Sequence, residues 1–264
     1  MADAMSAIVS GAASTYYNPA GLLNCADSTG AQLMIMHKEW ILDTRAEFLG
    51  ASIPLSEEQA VGFAVNATTV SDIEIRTRPG PAEGTFAARN FSFGVSYAHV
   101  LSDEICLGIT AKFLLEKILV DQASGFAIDL GAQYRTPIEN LFVGAAVANL
   151  GSLSEMGSEK TTLPSLLRLG PAYRFSLDNM QSHVTLASDL LYIFPEGKSY
   201  VNLGGELVFN RTVSARAGYR FGSEARNFSA GVGVNYGIVG LDYAYEPLSA
   251  DLGNTHTVSL VLNF

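Results

Sequence analysis

The last residues of the chain alternate without a break. Val258, Leu260, Leu262 and Phe264 are apolar, and Thr257, Ser259 and Asn263 between them are polar. A period of two over a stretch of this length predicts a half-buried β-strand. The same alternation recurs upstream. Phe228, Ala230, Val232, Val234 and Tyr236 oppose Ser229, Gly231, Gly233 and Asn235, and Val213, Ala215, Ala217, Tyr219 and Phe221 oppose Ser214, Arg216, Gly218 and Arg220. Followed back through the chain, the pattern predicts fourteen strands, at 30–40, 43–54, 59–74, 85–99, 103–117, 123–136, 140–149, 164–175, 182–192, 200–209, 211–221, 227–237, 238–246 and 254–264. The number is even, and most segments reach the roughly 9–11 residues that a tilted membrane-crossing strand requires.

Composition separates a membrane barrel from a soluble sandwich. Of the 264 residues 48% are hydrophobic and only 16% charged. A soluble domain usually carries about 25% charged residues to cover its surface. No run of 18 apolar residues is present, so helices are not the crossing elements. The fold class that follows is all-β, a 14-stranded antiparallel transmembrane β-barrel, with a short N-terminal plug segment at 1–27 and the barrel at 28–264. The connections are asymmetric. One end carries short turns near Ser102–Asp103, Asn210 and Gly237, while the other carries longer links such as Asp72–Glu83 and Gly151–Thr162. Short periplasmic turns and longer outer loops orient a bacterial outer-membrane barrel in this way. Tyr97, Tyr134, Tyr173, Tyr192, Tyr219, Tyr236 and Tyr245 lie near strand ends on the apolar faces, where aromatic side chains form interfacial girdles. The C-terminal positions Val258, Leu260, Leu262 and Phe264 match an insertion signal read by the assembly machinery. Export needs a signal peptide. None is visible at Met1, so it is expected upstream of this chain.

If the apolar faces meet lipid, the opposite faces line a lumen. They carry Asp129 and Arg135, Arg168 and Arg174, Asp189, Glu206, Arg216 and Arg220, and Asp242 and Glu246. Both signs occur on neighbouring strands, where opposed charges pair across a ladder. A polar network that holds a narrow barrel shut is therefore expected, rather than a pore of one sign. The net charge of −10 argues against nucleic acid as a partner.

The first 25 residues break the strand pattern. Ala2–Ala13 is small and apolar with a short helical flavour, and Asn18, Pro19, Ala20 and Gly21 then enforce a turn. Such a segment can fold back into the lumen. The stretch Gly11-Ala12-Ala13-Ser14-Thr15-Tyr16-Tyr17-Asn18-Pro19-Ala20-Gly21-Leu22 resembles the hallmark of the PorV/PorQ family, a branch of the FadL-like fourteen-stranded outer-membrane proteins. Leu163-Pro164-Ser165-Leu166-Leu167-Arg168-Leu169-Gly170-Pro171-Ala172-Tyr173-Arg174 is similar to a mid-barrel signature of the same family. The resemblance implies a component of type IX secretion that binds exported cargo proteins or secretion-machinery subunits at the outer membrane. The Asn-Pro-Ala-Gly motif is shared with FadL-type transporters, which implies the alternative of a conduit for hydrophobic small molecules such as fatty acids. The outer loops leave little room for an extended substrate groove, which leans toward the first reading.

Catalytic chemistry is not expected. His37, His99, His183 and His256 fall on separate strands without metal spacing. Gly231-Val232-Gly233 lies inside an alternating strand with no helix after it, so it is no dinucleotide fingerprint. No cofactor is implied. Cys25 follows the plug motif and Cys106 faces inward, so a disulfide from plug to wall is conceivable, although the sequence alone favours two unpaired small residues.

Overall fold

The computed structural model describes residues 1–23, 30–157, 161–177, 181–249 and 252–264. Its strands are β1 (Gln32–Glu39), β2 (Thr44–Pro54), β3 (Gln59–Ile75), β4 (Gly84–Ser102), β5 (Ile105–Ile118), β6 (Asp121–Arg135) and β7 (Leu141–Leu153). The second half of the wall is β8 (Leu166–Leu177), β9 (Ser182–Ile193), β10 (Lys198–Phe209), β11 (Val213–Phe221), β12 (Phe228–Tyr236), β13 (Val239–Pro247) and β14 (Asn254–Asn263). These fourteen strands among the described residues pair antiparallel in sequence order, and β14 returns to β1, so the sheet closes into a barrel. Closure follows from the environment. A sheet edge in hydrocarbon would leave N–H and C=O groups without partners, at several kcal/mol each. The seam between β1 and β14 is fully laddered, from Gln32 opposite Asn263 to Glu39 opposite His256.

The two faces of the wall divide by size. Ile35, Leu49, Phe63, Phe93, Phe113, Phe126, Leu203 and Val232 point outward and are exposed. The buried apolar positions are mostly alanine, among them Ala60, Ala64, Ala98, Ala127, Ala146, Ala172 and Ala187. A soluble barrel places its large apolar side chains inside, and this barrel reverses that order. Small inward residues are needed because the lumen holds chain rather than side chains.

The N-terminal segment occupies that space. It runs through turns to a 3-10 turn at Gly11–Ala13, a single helical turn α1 (Ser14–Tyr17) and a second 3-10 turn at Pro19–Leu22. The helical character expected over Ala2–Ala13 falls later, at Ser14–Tyr17. Ala2, Asp3 and Gly11 have φ of 46°, 63° and 63°, a left-handed backbone that no right-handed helix can incorporate. The wall makes room with glycine. A Cβ on Gly108 would overlap the Pro19–Ala20 peptide, one on Gly131 the Asn18 side chain, and one on Gly144 the Ser6 carbonyl. These glycines permit close approach of two backbones, one of the recognised uses of the residue.

Two further expectations differ in detail. The strand expected from 164 begins at Leu166, because Pro164 offers no N–H to a ladder and Leu163 is packed instead against Ala127 and Leu153. Cys106 is fully buried and disulfide-bonded, which corrects the preference for two unpaired cysteines. It lies two residues from Gly108, where the plug passes the wall. Cys25 lies outside the described residues.

The close approach at Gly144 predicts a specific defect. Gly144→Val costs about 1–3 kcal/mol of overpacking. The expected outcome is a barrel that still resists proteolysis while residues 1–22 become cleavable, measured by limited digestion and peptide mapping. Unchanged resistance of the N-terminal segment would show that it does not contact the wall there.

Candidate functional site

The site assembles where the N-terminal segment meets the inward faces of the strands. Asn18 is its pivot. Pro19 holds Asn18 in an extended conformation, with φ −161° and ψ 107°, and Asn18 caps the turn that follows. The Asn18 side chain is fully buried and almost fully used. Its amide donates to the Ser6 carbonyl at 2.8 Å and to the Ala132 carbonyl of β6 at 3.0 Å. Its oxygen accepts from the Ala20 N–H at 3.2 Å. One side chain thus ties two parts of the plug to the wall. Ala20 and Gly21 are buried beside it, with Gly21 against the Val9 carbonyl.

Asp189 on β9 is a second anchor. It is 1% exposed, and its carboxylate accepts from the Met5 and Ser6 N–H groups, each at 2.9 Å, and from the Ser6 hydroxyl. Three donors on one carboxylate compensate the desolvation that burial imposes. Gln133 on β6 adds donations to the Ser6 carbonyl at 3.3 Å and to the Val9 carbonyl at 3.0 Å. Gln32 on β1 accepts from the Ala12 N–H at 2.8 Å.

A third anchor is ionic. The Asp3 carboxylate meets Arg220 of β11 at 2.5 Å and Arg226, just before β12, at 4.0 Å, and it accepts from the Tyr17 hydroxyl at 2.9 Å. Arg168 of β8 lies over the Tyr17 ring, 5.3 Å from its centroid. Burial opposes ionisation of Asp3, but Arg168, Arg220, Arg226 and the Tyr17 hydroxyl outweigh it and hold the carboxyl well below the usual carboxylate range. Burial, with Asp3 beside it, pushes the Tyr17 phenol well up, so it stays neutral and donates.

The remaining inward charges pair along the wall. Arg216 of β11 bridges Glu206 of β10, its register partner, and Asp242 of β13. Arg226 pairs with Glu246 at 3.1 Å, and Lys38 of β1 reaches the same carboxylate at 3.6 Å. Asp129 pairs with Lys112 at 2.5 Å and accepts from the Asn149 N–H at 2.8 Å. Arg174 lies over the Phe142 ring, 5.9 Å from its centroid. Arg135 is exposed at the end of β6 that carries the short turns. Val258, Leu260, Leu262 and Phe264 form the last strand and its end, away from the lumen, where the Phe264 N–H donates to the Ala31 carbonyl at 2.8 Å.

Several members of the site were not singled out from the sequence. Asp3, Ser6, Tyr17, Gln32 and Arg226 are the main ones. Asp3 carried a readable signal: it is the one charged residue among positions 1–25, so a segment entering a lumen lined with arginine had one carboxylate to offer. Ser6 and Gln32 carried none, because Ser6 acts largely through its own N–H and carbonyl and Gln32 takes up the Ala12 N–H, groups that any residue presents. Among the described residues no cluster of three His, Cys, Asp or Glu side chains could hold a metal ion.

Two predictions follow from the anchors. Asn18→Ala leaves two buried carbonyls with one partner fewer and removes about 1–3 kcal/mol. Asn18→Asp is worse, because it sets a carboxylate against those carbonyls. The check is the temperature at which the N-terminal segment becomes accessible to protease, and the order expected is wild type above N18A above N18D. For Asp3, the lowered carboxyl pKa means that its stabilisation is present above the ordinary value of about 3.9 and is lost as pH falls through the lower folded value. Protease resistance of the plug should stay flat from pH 8 to pH 5 and fall only in strong acid, and Asp3→Asn should lower it at neutral pH and flatten the acid limb.

Comparison with known proteins places this geometry. Residues 47–262 match the model of the type IX secretion system membrane protein PorP/SprF family. No curated protein matches the chain. Among solved structures, the barrel is similar to the toluene transporter TodX of Pseudomonas putida, with 12% identity and a TM-score of 0.65 over 99% of this chain and 95% of that one. It is also similar to a FadL homologue of Pseudomonas aeruginosa, with 11% identity and a TM-score of 0.55 over 99% and 96% of the two chains. The outer-membrane protein Omp33 of Acinetobacter baumannii matches at 11% identity and a TM-score of 0.53, over 89% and 98%. At these identities the likeness shows a fold, a FadL-like outer-membrane barrel. The resemblance read from the sequence pointed to PorV/PorQ, whereas the matching model is PorP/SprF; type IX secretion is common to both, and the matching family is one of secretion-system membrane proteins and not an enzyme family. The chain belongs to the type IX secretion system membrane protein PorP/SprF family.

Proposed function

We propose that this barrel serves type IX secretion as a closed, rigid docking component, binding secretion-machinery subunits or exported proteins at its rims rather than conducting solutes. The observation that supports this reading is the lumen. The plug is held to β6, β9 and β11 by Asn18, Asp189 and Asp3, and Arg216 of the wall is paired with Glu206 and Asp242. A conduit needs a continuous path, and each of these anchors would have to break to make one.

The second reading is a FadL-like conduit for hydrophobic molecules, and the fold of TodX favours it, since that protein is described as a toluene transporter. The apolar inward residues weigh against it. Leu114, Ala127, Leu153 and Leu163 pack on one another instead of lining an open pocket. Two grooves of about 460 and 370 Å³ lie around the exposed side chains of Leu186 and Leu203 on the outer wall.

The test combines two measurements on protein purified in mild detergent from native membranes. In planar bilayers the wild type should show no steady conductance, and the double variant Asp3→Asn, Asp189→Asn should flicker open. Mass spectrometry of the purified material should show secretion-machinery subunits or secreted proteins near stoichiometric amounts. Bound fatty acid or hydrocarbon without protein partners would favour the conduit and contradict the docking role.

A further inference from the structure

The outward face of the wall holds few cations, and they are not scattered. Of the lysines and arginines on described strands, those at outward positions are Arg45 of β2, Arg89 of β4 and Lys117 of β5. All three are exposed. They fall on one line across the sheet: Arg45 is opposite Thr69, Thr69 opposite Arg89, Arg89 opposite Lys117, and Lys117 opposite Gln122 of β6. Strands lie about 4.8 Å apart, so the row spans roughly 14 Å. None of the three makes an ion pair among the described residues, although the chain has a net charge of −10 and carboxylates to spare. The nearby outward carboxylates, Glu39 and Glu47, both face His37, at 3.7 and 2.6 Å. The inward cations Lys112, Arg168, Arg216 and Arg220, by contrast, are engaged with carboxylates or a ring.

The height of the row is informative. Phe91 is one outward step below Arg89, about 7 Å along the strand, and the next row down is Phe93, Phe113 and Phe126, with the last two rings 5.5 Å apart. From Gln59, at the short-turn end of β3, to Thr69 the strand climbs ten residues, which at a tilt of about 40° amounts to roughly 26 Å of height. An outer-membrane barrel carries an apolar band about 25 Å tall bounded by aromatic girdles. The three cations therefore stand just above the band, at the end that carries the long connections 76–83 and 154–165, which is the outer end of such a barrel. There the neighbouring molecules are headgroups. Unpaired cations in a lateral row, above aromatic rings that pack on acyl chains, complement a molecule with phosphates above and acyl chains below.

We propose that Arg45, Arg89 and Lys117 form a binding site on the outer wall for the phosphorylated glycolipid of the outer leaflet, with the guanidinium and ammonium groups on its phosphates and the Phe91, Phe93, Phe113 and Phe126 surface against its acyl chains. Arginine forks and a lysine point charge suit phosphate oxygens at an interface of low dielectric. The site holds the β2–β5 side of the barrel in a defined orientation and depth in the membrane. It depends on the barrel fold and its orientation and not on the proposed docking role.

The experiment is native mass spectrometry of the intact chain released from detergent micelles containing added diphosphoryl lipid A, dephosphorylated lipid A, phosphatidylethanolamine or inorganic phosphate. The wild type should retain diphosphoryl lipid A at one or a few copies and the dephosphorylated form at least about tenfold less. The triple variant Arg45→Gln, Arg89→Gln, Lys117→Gln should lose the same factor. A charge-preserving variant, Arg45→Lys, Arg89→Lys, Lys117→Arg, should recover most of it. Folding of each variant is read independently from heat-modifiable mobility on gels. Equal retention by the wild type and a folded triple glutamine variant would overturn the site, and so would equal retention of phosphorylated and dephosphorylated lipid A. Displacement of lipid A by millimolar inorganic phosphate would show a plain anion site and overturn the assignment to lipid.

Discussion

A strip of uncharged backbone inside a barrel must find partners for its N–H and C=O groups, and this requirement governs the molecule. Met5, Ser6, Ala12, Asn18 and Ala20 all lie where water has been replaced by the plug and the wall. Their polar groups are satisfied by Asp189, Gln133, Gln32 and the Asn18 side chain. A buried amide left unpaired costs on the order of 1–3 kcal/mol, so a handful of such contacts decides whether the segment stays in the lumen. The glycines of the wall follow from the same demand, because hydrogen-bond distances require the backbones to approach within a side chain's thickness. The fold therefore uses its inward face for contact with a fixed strap of chain and its outward face for lipid.

Charge acts within that frame. Arg216 lies between Glu206 and Asp242, and Arg220 and Arg226 converge on Asp3. A pair of this kind contributes little against an apolar substitute but costs several kcal/mol when one partner is removed, because the other is then stranded in a low dielectric. The network thus works more as a lock on one arrangement of plug and wall than as a source of stability. Under the proposed docking role, a locked barrel offers its partners a surface of fixed shape. The wall's outward cations belong to a different economy, set by the headgroup region rather than by the lumen.

Much of this is legible in the sequence. The alternation that ends on Val258, Leu260 and Leu262 is strict because each strand has lipid on one side and protein on the other, and such a boundary leaves its period in the residue types. The same holds for β11 and β12, where Val213–Phe221 and Phe228–Tyr236 are strands within a residue or two of their expected limits. The charged inward positions were readable as a set because parity assigns them a face. Their partners were harder. Asp189 could have paired with a charge on a neighbouring strand, and it pairs instead with backbone N–H groups of Met5 and Ser6, which any residue presents. Backbone partners leave no trace in residue identity. The path of the plug was hidden for a related reason: the left-handed residues Ala2 and Asp3 are not glycine, so nothing in their types announces the bend.

The most direct test of a lumen closed by a bonded strap is hydrogen exchange of the N-terminal segment in the intact barrel, read peptide by peptide in detergent or nanodiscs. Amides of Met5, Ser6, Ala12 and Ala20 accepted by wall and plug oxygens should exchange as slowly as those of the central strands, because release requires opening of the cooperative unit that holds them. Exchange of residues 5–21 within seconds, with the strands still protected, would show the segment outside the lumen and contradict the account.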